Sequence, residues 1–107
     1  MLALLVLFAK PAAAQKRVSS SEALQAAVKK PHPPYNPLAR QMKIEGEVEV
    51  EVSISEKGDV VNVKVNRGNA MLTPKVVETV KGWKFTPFQQ DGRVCPAVAP
   101  LRFSFRM

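Results

Sequence analysis

The sequence predicts an α+β fold, a three-stranded antiparallel sheet with one main helix and one short helix packed on one face. Two alternating runs predict the sheet. Val48, Val50, Val52 and Ile54 fall on one side of an extended chain and Glu47, Glu49, Glu51 and Ser53 on the other, the period of a strand with one face in a core. Near the C-terminus Leu101, Phe103 and Phe105 alternate with Arg102, Ser104 and Arg106 in the same way. Between these runs Val76, Val77, Val80 and Trp83 recur at intervals of three and four, which places them on one helical face.

Taken from the N-terminus, an apolar run from Leu2 to Ala9 followed by Ala12, Ala13 and Ala14 reads as a secretory signal over residues 1–14, and hence as export to the periplasm. No positive charge precedes the run, so an uncleaved start acting as an inner-membrane tether is the alternative. Residues 15–32 read as a helix and a proline-rich linker. Ser19 and Glu22 have capping-box spacing, which opens a helix running to about Lys30. Pro31, Pro33, Pro34 and Pro37 then favour an extended segment.

The domain is expected over residues 33–107. Leu38 to Lys43 can make a short helix, with Leu38 and Met42 on one face and Arg40 and Lys43 outside. The first strand begins at Gly46, and Gly58 supplies the positive φ for the turn into a second strand, where Val61, Val63 and Val65 repeat the alternation with one face in the core. Thr73 before Pro74 reads as an N-cap with proline at the first helical position, for a helix to about Lys81. Lys84 to Thr86 can form a short extended piece, and Gln89 to Gly92 a turn. Pro96 and Pro100 cannot donate to a ladder, so the last strand belongs at a sheet edge, with the first hairpin strand in the middle. If Pro100 faces outward, Arg102 and Ser104 turn their backbone groups outward as well.

With 107 residues there is room for one modest domain, and the default is a binding module. Cleavage after Ala14 removes Lys10 alone among the charged residues and takes the net charge from +7 to +6. Such basicity suits anionic partners without choosing among them. Cys95 is the only cysteine, which excludes an intramolecular disulfide and leaves a buried thiol or a link between two copies in a homodimer. Glu47, Glu49 and Glu51 recur along a solvated strand face, as a polar face does. Ser19 to Ser21 lack a partnered His and Asp, and no glycine-rich phosphate loop occurs. No catalytic, cofactor or metal constellation stands out, and the charge is not accompanied by a nucleic-acid recognition pattern.

Four segments in order carry a resemblance. They are PPYNPLARQMKIEG with Tyr35, Ala39 and Arg40, then EVEVEVSISEKGDVVNVKV, then MLTPKVVETVKGWKFTPF, then Asp91 and Gly92 ahead of LRFSF. Together they resemble the C-terminal domain of the TonB family, periplasmic proteins that pass energy from the inner membrane to outer-membrane transporters. The family usually has proline directly after the tyrosine, whereas here Asn36 intervenes. Residues 15–34 extend at most roughly 70 Å at about 3.5 Å per residue, short of the family's spacer.

The resemblance implies a non-enzymatic module that pairs with an extended segment of a transporter, the TonB box, by adding it as a strand along the last strand. It points to Arg102, Ser104 and Arg106 as backbone contacts, and to His32, Pro33, Pro34 and Tyr35 as a second contact ahead of the domain. Taken alone, His32 reads as a solvated linker residue, and Trp83 and Phe85 read as core. The alternative function is a basic envelope module docking on cell wall or anionic lipid, which salt would weaken steeply.

Overall fold

The computed structural model of the protein describes residues 15–107, so the expected signal over residues 1–14 lies outside the described part. Lys16–Arg17 form a two-residue strand, β1, and Ser20–Ala26 a helix, α1. The Ser19 hydroxyl accepts from the Glu22 amide at 3.0 Å, so the expected cap opens this helix. It closes sooner than the expected Lys30. Ala27 is extended (φ −73°, ψ 121°), and Ala27–Lys29 become a strand, β2, in which β-branched Val28 is at ease. Lys30 Nζ donates to the Leu24 carbonyl at 3.2 Å and satisfies one acceptor of the last turn.

The second helix, α2 (Pro37–Gln41), begins where Asn36 Oδ1 accepts from the amides of Leu38 (2.8 Å) and Ala39 (3.3 Å). Asn36, the departure from the family pattern, is thus the cap, and Pro37 takes the position that needs no amide donor. The expected inward face of Leu38 and Met42 is corrected: they are 52% and 59% exposed, and Ala39 is the residue that enters the core. Five residues cannot hide a bulky stripe, and the smallest side chain permits the closest approach.

Two strands follow, β3 (Gly46–Ile54) and β4 (Val60–Arg67), joined by a turn at Gly58. Lys84 Nζ donates to Asp59 at 2.7 Å, and this ammonium holds the Asp59 carboxyl below its ordinary range. The third helix, α3, spans Thr73–Val80. Thr73 does not cap it. Leu72 occupies that position, and Asn69 organises the entry by accepting from Met71 through its side chain and from Thr73 through its carbonyl. Two short strands, β5 (Lys84–Phe85) and β6 (Phe88–Gln90), then precede β7 (Arg93–Cys95) and β8 (Ala97–Phe105). The expected turn at Gln89 to Gly92 is the tip of a β6–β7 hairpin whose two turn residues, Asp91 and Gly92, both have positive φ. Cys95 sits half-buried at its end.

The main sheet has the order β1-β8-β3-β4, with β3 in the middle as expected. It has four strands rather than three, because β1 pairs parallel with the start of β8. One face carries Val48, Val50, Val52, Ile54, Leu101, Phe103 and Phe105 against Val76, Val80, Trp83 and Phe85. Val18 and Ala23 belong to the same core. The stretch expected as a separate helix and linker ahead of the domain is therefore packed into it. β2 pairs with β5, and Trp83 Nε1 donates to the Pro31 carbonyl at 3.0 Å.

Candidate functional site

Three hydrogen bonds reveal which way the edge of β8 points. The amides of Lys16 and Val18 donate to the carbonyls of Pro96 (2.9 Å) and Val98 (3.0 Å), and the Ser20 hydroxyl donates to that of Pro100 (2.6 Å). Alternate residues of β8 thus face away from β3, and Pro100 has its donor-less nitrogen on the side where no β3 partner is missed. The register against β3 continues unbroken, Glu49 opposite Arg102 and Glu47 opposite Ser104. By that alternation the N–H and C=O groups of Arg102 and Ser104 also point outward. Among the described residues, no strand pairs with them. Arg106, the third expected contact, lies just beyond β8.

Beside this edge two hollows adjoin. One of about 510 Å³ is lined by Ser20, Leu24 and Pro100 to Phe103 and reaches Glu49 and Asn66 on the neighbouring strands; the other, of about 420 Å³, is lined by Leu24, Lys30, His32, Trp83 and Arg102 to Ser104. They share Leu24, Arg102 and Phe103, and so form one groove running along the outward backbone from Pro100 to Ser104. Leu24 is 41% exposed there, which gives the groove an apolar wall. A larger hollow of about 640 Å³ lies between Asn36 and α3, away from β8.

The structure brings His32 to this groove and leaves the other pre-domain residues elsewhere. The His32 ring stands edge-on to Phe103 at 6.5 Å, and its Nδ1 donates to the Pro33 carbonyl at 3.0 Å. Pro33 is buried and Pro34 exposed, and neither lines the groove. Tyr35 is an anchor: its hydroxyl donates to the Ile44 carbonyl, its ring meets Phe105 edge-on at 5.4 Å, and the Arg40 guanidinium lies 5.2 Å from its centroid. Trp83, read as core, is 3% exposed and also closes the floor of the groove.

The glutamate row is neutralised by arginines. Arg102 reaches Glu49 at 3.0 Å and Glu47 at 3.7 Å, Arg67 reaches Glu49 at 2.7 Å, and Arg17 reaches Glu51 at 3.3 Å. These exposed pairs contribute little to stability individually, yet they fix the Arg102 side chain over the sheet face and away from its own backbone edge.

Leu24, Lys30 and the Lys16–Ser20 stretch are the parts of the site that sequence patterns miss. Leu24 is one apolar residue on an alanine-rich helix, and nothing local shows that this helix lies against a strand some eighty residues on. Only the prolines of β8 hint at an outward edge.

A family description, the C-terminal region of the Gram-negative bacterial TonB protein, matches residues 31–107. Comparison with curated proteins gives no match. Among solved structures the chain is similar to the solution NMR structure of the Pseudomonas aeruginosa TonB C-terminal domain. The TM-score is 0.65 and the identity 24%, over 76% of this chain and 84% of that one, a likeness of fold.

Proposed function

The chain belongs to the TonB C-terminal domain family, and from that membership we propose that it is a periplasmic module which captures an extended segment of an outer-membrane transporter as an added strand on β8. The observation that carries this reading is the outward backbone of Arg102 and Ser104 beside a groove walled by Leu24 and floored by Phe103 and Trp83. Backbone pairing supplies affinity with little dependence on sequence, and alternate side chains of the guest enter the groove. His32 and Lys30 close the groove at its Ser104 end, which makes His32 the side chain of the pre-domain segment that meets the guest.

The charge pattern favours strand pairing over docking by charge alone. Arg17, Arg67 and Arg102 are tied to Glu51, Glu49 and Glu47, so the solvated sheet face presents mixed charge rather than a basic patch.

Ser104→Pro tests the assignment, because it removes one outward donor without touching the ladder to β3. With a synthetic peptide from the extended N-terminal segment of an outer-membrane transporter, its affinity is expected to fall at least about fivefold, the worth of roughly one hydrogen bond, in a variant with an unchanged near-UV spectrum. Equal affinity in the folded variant refutes pairing at this edge. Peptide affinity should also change little between low and high salt, whereas binding to cell-wall fragments or anionic vesicles with a steep salt dependence would favour the charge-docking role instead.

A further inference from the structure

We infer that residues 16–20 act as a built-in stop that fixes the length and register of the guest strand, an inference that rests on the pairing edge proposed above. The edge of β8 runs over Ala97–Phe105, but its outward acceptors at Pro96, Val98 and Pro100 are already taken by Lys16, Val18 and Ser20 of the same chain. What remains runs from Arg102 to Arg106, about five residues or some 17 Å at about 3.4 Å per residue. A guest strand extending further toward Ala97 would meet β1 end to end.

The stop is fastened on several sides. Val18 is 5% exposed and packs in the core, and Ala23 on the helix that follows is fully buried. Lys16 Nζ donates to the Gln89 carbonyl at 2.9 Å, and Arg17 donates to Glu51 at 3.3 Å. Downstream, β2 is held by β5, so α1 is pinned at both ends. A guest that displaced residues 16–20 would have to uncover Val18 and break these bonds to gain only an equivalent ladder. Occupancy of the short open stretch is therefore favoured over exchange. These residues precede the part of the chain that matches the family, residues 31–107, so the stop belongs to this chain's own N-terminal stretch.

The test uses nested peptides of about five and about nine residues, cut from the same transporter segment and titrated against the full chain and against a Val18→Pro/Ser20→Ala variant. In the unaltered chain the two peptides are expected to bind within about twofold of each other. In the variant the longer peptide gains about fivefold for one extra ladder bond and about twenty-fivefold for two. Amide exchange gives a readout that needs no variant: with the longer peptide bound, the Lys16 and Val18 amides stay protected. A tenfold preference of the unaltered chain for the longer peptide, or loss of that protection on binding, overturns the stop while leaving the pairing edge intact. Binding of neither peptide overturns the edge itself, and the stop with it.

Discussion

A methyl group at position 58 has nowhere to go. Gly58 has φ of +89°, and a Cβ there would lie 1.9 Å from the Phe85 carbonyl oxygen, in a turn whose own carbonyl accepts from the Phe85 amide at 2.9 Å. Gly92 has φ of +78° with open space around it. The pair separates strain from collision: Gly92→Ala is expected to cost about 1 kcal/mol, the left-handed penalty alone, and Gly58→Ala about 3 kcal/mol or more. Urea midpoints of the two variants at matched m-values check this, and equal losses would show that the turn yields without disturbing Phe85. A glycine in the first hairpin turn is plain from the sequence. Its contact with Phe85 is not, because the approach is made by backbone from beyond α3 and leaves no mark on residue pattern.

At the scale of the element, α2 shows how a short helix is held. Five residues are too few to sustain themselves, and two of the amides that need partners are taken by Asn36 Oδ1. Asn36→Ala is expected to lower stability by about 1 kcal/mol and to speed exchange of the Leu38 and Ala39 amides specifically; uniform exchange across the domain would refute a capping role. The strands were easier to read than the helix ends. Alternation around Val50 and Phe103 records burial directly, so β3, β8 and their faces follow from sequence; the same alternation misleads in β4, where Val61 and Val65 are 64% and 38% exposed on an edge strand whose register slips beside the turn. The end of α1 does not, since Ala27 and Val28 are tolerated in either state and the choice is made by pairing with β5. Thr73 carried a sound local signal for a cap, overridden because Asn69 reaches the first turn from farther back.

For the whole molecule, the N-terminal stretch is as much part of the domain as the family-matched residues. A chain starting at residue 31 leaves the places of Val18 and Ala23 empty and the Phe85 side of the core uncovered. Burial of Val18 alone is worth about 1.5–3 kcal/mol. The shortened chain is therefore expected to melt at least about 6 °C lower, which a thermal scan monitored by tryptophan fluorescence checks; an unchanged midpoint would show that the stretch rests on the domain without supporting it. The outward edge of β8 was legible from Pro100, whereas the cover over its first half was not, for Lys16 and Arg17 are polar, brief and remote from their partners. The same remoteness bears on how the protein is assembled. Ser20 and Pro100 lie 80 positions apart, and the central strand β3 waits for β8 as well. Within the main sheet only the β3–β4 hairpin can pair before the nine-residue β8 is in place, so closure of that sheet is a long-range event of the kind that slows folding.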